Sequence, residues 1–468
     1  MPDTTRNPRA SLVESIPLGL ESLRGTPGVQ YTEDVLVRLT QAARSTIDLT
    51  AMYWALLPDP KGVDEKGFTD EQFRQMGADS GRAVYVALCD AARRGVSIRI
   101  LQSPGFSGQK QESDNLREQF PERISIHEID MSKWYGGGIM HQKIWIFDSV
   151  HLYLGSANMD WKSLMQVKEM GVAVMDCPEL AADAIKYFDS WWEFSALSPT
   201  NQEAFDPAVR IDRSVPSWSS LIAASKRSRS PLADKYATEY SARTPLRLAL
   251  NGEQCGVFLS GCPQEVLGKG RTWDGEGLVH TIDDAQKSVS ISVMDFAPAG
   301  LYSRPSAGSP IGDEGVISTD TPVWWPLLTD AILSAVLTRK LYIRLLVSNW
   351  AHTSALIEPM LRALQSAADA GRADPYMSSG QMEIKLFMVP GWNSTNGSNR
   401  KYPGHTRVNH TKYIVTDRRI NIGTSNMTWD YFASTAGSSF NTDHPELVRT
   451  LQAVFDRDWA SSYAWRLS

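Results

Sequence analysis

Cysteine is scarce in this chain: 468 residues hold four, Cys89, Cys177, Cys255 and Cys262. That number excludes a disulfide-built scaffold and leaves the fold to rest on a buried apolar core. Cys255 and Cys262 are near enough in sequence to bridge, and ordinary free thiols account for them equally well. Positive charge is also in short supply, with 47 Lys and Arg against 53 Asp and Glu and a formal net charge of −6. No global basic field draws in duplex nucleic acid, so a polyanionic substrate has to be met by a local basic cleft. No apolar run approaches the ~18 residues that read as a membrane span. The N-terminal MPDTTRNPRASLVESIPLGL has no apolar centre and does not read as a signal peptide. With 42% hydrophobic and 21% charged residues, the composition is that of a globular protein long enough for two or three domains.

What the sequence does contain is one unusual pattern, twice. IMHQKIWIFDSVHLYLGSANMDW (Ile139–Trp161) and VNHTKYIVTDRRINIGTSNMTWDYF (Val408–Phe432) each set a His and a Lys two residues apart at the head of an apolar run. An Asp follows seven residues after each His (Asp148, Asp417), then a short apolar strand and a Gly/Ser/Asn turn ending at Asn158 or Asn426. Two copies of such a pattern point to an internal duplication.

The flanking sequence repeats as well. EDVLVRLTQAARSTIDLTAMYW and EGLVHTIDDAQKSVSISVMDF both read as an amphipathic helix followed by a strand, with Met52-Tyr53-Trp54 falling on Met294-Asp295-Phe296. A second helix and strand follow in each copy, and each copy closes on an aromatic helix, ADAIKYFDSWW or LVRTLQAVFDRDW. The offset grows from 242 at Met52 and Met294 to 269 at His141 and His410. The extra residues fall in PGWNSTNGSNRKYPGHTR, whose Gly, Asn and Ser read as a loop. Sequons at Asn393 and Asn396 lie in this loop, and others at Asn409 and Asn426 lie within the second motif. Alternating helices and strands predict an α/β fold. The expected architecture is two duplicated α/β sandwich halves, residues 30–195 and 245–468, packed about a pseudo-two-fold axis with one shared active site. Residues 196–244 are the polar crossover linker, and the run Ser225–Ser230 within it reads as solvated chain.

On a strand, residues i and i+2 share a face. His141 and Lys143 therefore project together, as do His410 and Lys412, and a two-fold packing brings the four into one site. Two imidazoles and two ammoniums suit phosphodiester cleavage: one neutral His attacks phosphorus, the other gives a proton to the leaving oxygen. The Lys charges and the Asn158 and Asn426 amides stabilise the non-bridging oxygens. A carboxylate on each imidazole would orient it; Glu169 is the candidate in the first half, and no similar Glu follows Asn426. Asp148 and Asp417 are expected away from the phosphate in structural roles. Lys is a poor metal ligand and no ligand set at metal spacing accompanies the motifs, so neither a metal nor a cofactor is called for.

The two His-x-Lys-x4-Asp motifs with their GSxN-like turns resemble the phospholipase D superfamily. The longer strings HQKIWIFDSVHLYLGSANMDWKSLMQVKEMGV, LLVSNWAHT and RVNHTKYIVTDRRINIGTSNMTWDYFASTAG are similar to its spleen-exonuclease-like branch, over about Thr32 to Trp459. That resemblance implies a metal-independent 5′-to-3′ exonuclease on single-stranded DNA and RNA acting through phosphohistidine, with a phospholipase D or transphosphatidylase acting on phospholipid as the alternative. It carries His141, Lys143, Asn158, Glu169, His410, Lys412 and Asn426 over as site residues. Tyr53, Trp54, Phe296, Trp350 and His352, at strand ends or in the loops that follow, are the candidates for stacking unpaired bases. A lysosomal or endosomal lumen is the address the resemblance implies, although the animal members carry a membrane anchor and more cysteines than this sequence shows.

Overall fold

The computed structural model describes residues 7–104, 111–132, 137–197, 232–302, 323–373, 378–397 and 399–467. Most of the expected linker, with the Ser225–Ser230 run, lies outside them.

Two mixed sheets repeat one plan. The first runs in spatial order Val29–Tyr31, Arg9–Ser15, Glu169–Met175, His151–Gly155, Ile144–Phe147, Thr46–Ala51, Ser97–Gln102, Ile124–Glu128. The second runs Leu246–Leu250, Glu253–Cys262, Gly437–Thr442, Ile420–Gly423, Lys412–Thr416, Ser288–Val293, Tyr342–Ser348, Gln381–Phe387, Ala464–Arg466. In both, the motif hairpin is central, flanked on one side by three parallel strands and on the other by antiparallel ones. Even the entry is duplicated. Val29–Tyr31 pairs parallel with Arg9–Ser15 before the helix Thr32–Ala42, and Thr272–Trp273 pairs parallel with Glu253–Cys262 before the helix Asp274–Asp284. The first sheet thus takes a strand, Arg9–Ser15, from ahead of residue 30.

The motif strands IWIF and KYIVT are wholly buried, which is why they read as continuous apolar runs. The aromatic helices Pro178–Ser195 and Pro445–Ala460 each begin with Pro at the first turn, where its missing N–H costs nothing. Their apolar faces (Tyr187, Phe188, Trp191; Leu451, Val454, Phe455) join residues of both sheets in one core. Each outer sheet face has its own core under its remaining helices. Ion pairs cross between halves as well: buried Arg271 with Asp183 at 2.9 Å and partly buried Arg457 with Glu14 at 2.9 Å.

The two motif aspartates act at the far end of the hairpin from the histidines. Asp148 accepts the backbone N–H groups of Arg44, Ser45 and Thr46 at 2.7–3.0 Å. Asp417 accepts those of Gln286, Lys287 and Ser288 at 3.0–3.2 Å. Each carboxylate ties its hairpin to the start of the neighbouring parallel strand. Of the apolar string Trp324–Leu328, Leu327 opens the helix Leu327–Leu337 and Trp325 is buried against Phe432, leaving Trp324 exposed.

Candidate active site

The halves meet through reciprocal backbone contacts beside the two histidines. His141 N–H donates to the Ala436 carbonyl at 2.9 Å, and His410 N–H donates to the Lys168 carbonyl at 2.8 Å. These contacts bring the imidazoles to 6.3 Å between ring centroids, although they lie 269 residues apart in sequence. Each Lys ammonium turns back onto the carbonyl of its own His: Lys143 Nζ to His141 at 2.9 Å, Lys412 Nζ to His410 at 2.7 Å. All four side chains are buried, His410 the least at 8% exposed.

The same reciprocity breaks the symmetry. Lys168 precedes Glu169, so the contact at His410 delivers a carboxylate: Glu169 Oε2 and Oε1 lie 2.8 and 3.0 Å from His410 Nδ1. Ser156 Oγ donates to the same carboxylate at 2.6 Å. Ala436 precedes Gly437, so the contact at His141 delivers no side chain. A Cβ at Gly437 would lie 2.2 Å from Ser425 Oγ and 2.6 Å from Cys262 Sγ, leaving no room for one. Among the described residues no side chain hydrogen-bonds to the buried His141 Nδ1, and the Tyr431 ring packs edge-on against the imidazole at 5.1 Å. The expectation that Glu169 serves the first-half His is therefore corrected: it crosses to the second half, because the strand that carries it runs alongside His410.

Burial and two neighbouring cations set the charge states. Burial, then Lys143, Lys412 and His410, hold His141 well below the usual imidazole range; the Thr424 backbone is a lesser influence toward the proton. Burial brings His410 down to about 4, with Glu169 pulling the other way. Both ammoniums are lowered by burial, and in both cases Glu169 opposes the shift. Of the two imidazoles, His410 is the one with a carboxylate beside it to oppose that shift.

Asn158 and Asn426 sit beyond the hairpins, the latter fully buried. Asn426 Nδ2 donates to Asp295 at 3.1 Å, and Tyr302 donates its hydroxyl to the same Asp295 oxygen at 2.5 Å. Burial raises the Asp295 carboxyl, against the Tyr302 hydrogen bond and Lys412. Sequence reasoning passed over Asp295 because it lay inside a triplet aligned for its aromatics. The one available signal was its position opposite Tyr53. Tyr53 is tied to an acid too, donating to Asp160 at 2.7 Å.

The aromatic candidates divide. Trp54 and Phe296, 7% and 2% exposed, belong to the outer cores and have no open face for a base. Tyr53 is half-buried. Trp350 and His352 lie together at 4.8 Å, and His352 stacks on His405 at 4.6 Å and 7°. His405 belongs to the inserted loop and meets Asp64 of the first half at 2.9 Å, so this aromatic group sits at the seam between halves. Among the described residues no cluster of three or more His, Cys, Asp or Glu is arranged to hold a metal ion, and no helix is long and apolar enough to cross a membrane.

Two family models match the chain: a cardiolipin synthase, PLD-like domain over residues 70–192, and a PLD3/4, PLD-like domain over residues 208–392. A probable phospholipase D of Caenorhabditis elegans is 33% identical over 97% of this chain and 70% of its own length. The 5′-3′ exonuclease PLD3 of Xenopus tropicalis and that of Homo sapiens are each 32% identical over 97% of this chain and 80% of their own. The structure of a phosphatidylserine synthase from Haemophilus influenzae aligns with a TM-score of 0.54 at 14% identity, over 93% of this chain and 85% of its own, a likeness of fold. Identity of this extent, carried across both halves, places the chain in the phospholipase D family, among the relatives with PLD3/4-type domains.

Proposed function

We propose that this phosphodiesterase is a metal-independent 5′-to-3′ exonuclease on single-stranded nucleic acid, working through a phosphohistidine. One observation carries the reading: two His-x-Lys arms from separate halves converge with their imidazoles 6.3 Å apart. The exonuclease relatives support the choice of substrate over phospholipid.

His141, kept neutral by burial and adjacent cations, attacks phosphorus as the P–O5′ bond breaks. His410 is the acid. Its Nδ1 is engaged by Glu169, leaving Nε2 to give a proton to the departing 5′ oxygen. A bound phosphodiester adds negative charge beside the ring and, with Glu169, raises its proton affinity on binding. Lys143, Lys412 and the free N–H groups of Asn158 and Asn426 stabilise the non-bridging oxygens. In the second step His410 takes a proton from water, the water oxygen bonds to phosphorus, and the P–N bond to His141 breaks. A nucleoside 3′-monophosphate leaves. The test is incubation of 5′-hydroxyl and 5′-phosphate single-stranded oligonucleotides with chelator present, with phosphatidylcholine vesicles in parallel. Stepwise 3′-mononucleotides from the 5′ end support the reading. Release of choline or transfer of phosphatidyl groups, with oligonucleotides untouched, overturns it.

A further inference from the structure

The strand that carries Glu169 is gripped from behind by the last helix of the second half. Lys168 Nζ lies 2.7 Å from Asp458 on the helix Pro445–Ala460. Asp458 also accepts from Arg457 Nη2 at 2.9 Å, and the Arg457 guanidinium bonds both oxygens of Glu14 at 2.9 and 3.0 Å. Glu14 belongs to the strand Arg9–Ser15, in which Ser15 pairs with Glu169 and Glu14 with Met170. Two acids and two bases thus form a network without net charge. It holds Glu169 through the residue before it and through the neighbouring strand. Glu14, Lys168 and Asp458 are each at most 1% exposed. Burying such charges gains a fold little over an apolar set of the same volume, and the other half manages without them. There Ala436 stands where Lys168 stands, its carbonyl accepting the N–H of His141, and the first half's closing helix answers with a neutral contact, Tyr187 donating to the Gly437 carbonyl at 2.7 Å. The ion pair accompanies the one histidine that has a carboxylate.

Lys168 connects this network to the chemistry by two short paths. Its carbonyl accepts the His410 N–H at 2.8 Å, and the next residue is Glu169, whose Oε2 lies 2.8 Å from His410 Nδ1. A shift of the Lys168 backbone moves both contacts together. We propose that Asp458 is a positioning residue: by fixing Lys168 it sets the Glu169 carboxylate against the His410 imidazole. The role deepens the reading of His410 as the acid and rests on it. Among the described residues the titratable groups facing His410 are Glu169, Lys412, Lys143 and His141. Of these only the Glu169 carboxylate favours a proton on the ring, so its displacement makes His410 a stronger acid.

The experiment titrates His410 by NMR of isotope-labelled imidazoles in the substrate-free protein, its signal identified by His410→Gln. Lys168→Met combined with Asp458→Leu removes the pair, keeps the net charge and leaves no charge buried alone, so the protein should fold. Its His410 pKa should fall at least halfway to that of Glu169→Gln, and the alkaline limb of kcat should move down with it. On a single-stranded oligonucleotide kcat should drop about 10-fold, part of the ~10² that a positioned general acid supplies, with KM little changed. Lys168→Gln combined with Asp458→Asn, which keeps a polar pair of shorter reach, should shift the titration the same way by less. A folded variant of either kind with the wild-type His410 pKa overturns the assignment. Failure of both variants to fold also overturns it, since the pair would then serve the fold alone. If the wild-type protein cleaves no oligonucleotide, the exonuclease reading falls, whereas the His410 titration decides the role of Asp458 without any substrate.

Discussion

Glu169 belongs to the first half of the chain and holds the imidazole of His410 in the second, 2.8 Å from Nδ1. Among the described residues His141 has no such carboxylate, and Gly437 occupies the equivalent place. A pseudo-symmetric fold thereby gives its two histidines unlike surroundings, one ring held neutral by burial and cations and one with a carboxylate that opposes the same shift.

Replacing Glu169 with Gln should lower kcat/KM by about 10²-fold, the low end of what a positioned general acid supplies. The pH dependence carries the sharper signature. Glu169 raises the proton affinity of His410, and activity that needs protonated His410 is lost as pH rises through that pKa. Without the carboxylate the alkaline limb of the profile moves to lower pH. An unshifted limb would show that Glu169 serves packing alone.

Asp295→Asn is expected to act through Lys412. Burial lowers the Lys412 ammonium, and Glu169 and Asp295 oppose that shift. Removing one carboxylate lowers it further, so the positive charge is lost at a lower pH. The loss in kcat should be larger at pH 8 than at pH 5. Equal loss at both would contradict a charge effect and point to misplacement of Asn426.

Asp148→Ala and Asp417→Ala should weaken the fold and spare the chemistry. Each removes an acceptor for three backbone N–H groups on a partly exposed turn, which costs about 1 kcal/mol or somewhat more. Burial raises both carboxyls, and the backbone N–H groups outweigh it, so both lie below their ordinary value. Their stabilisation is complete above the unfolded carboxylate range and fades as pH falls through the lowered native pKa. Urea midpoints of wild type and variants should therefore differ at pH 7 and converge toward pH 2, with kcat/KM at pH 7 unchanged. A large fall in kcat/KM would return these residues to the catalytic account.

Activity should survive excess EDTA. The proposed steps assign attack, proton transfer and charge stabilisation to His141, His410, Lys143 and Lys412. Loss of activity on chelation, restored by a divalent ion, would contradict that assignment.

Much of this arrangement was legible in the sequence. The two-residue spacing of His and Lys on a strand fixes which way they point, and duplication required the two arms to face one another. The partner of Glu169 was not legible, because proximity in sequence to His141 says nothing about which strand runs beside which His across the pseudo-two-fold. Trp54 and Phe296 were taken for base platforms from their place after a strand. Their rings instead fold back under the helices of the outer cores, a choice set by tertiary packing.

The central claim is that the two halves build one site in which His141 takes the phosphoryl group and His410 moves the proton. His141→Ala and His410→Ala should each remove at least about 10³ of the rate on an ordinary oligonucleotide. A p-nitrophenyl phosphodiester of thymidine separates the roles, because its leaving group departs with little need of a proton. On it, His410→Ala should release a burst of p-nitrophenol and accumulate a thymidine phosphoryl group on His141, identified by peptide mass spectrometry, while His141→Ala gives neither. A thymidine phosphoryl group found on His410 in the His141→Ala protein, with no burst from His410→Ala, would contradict the account.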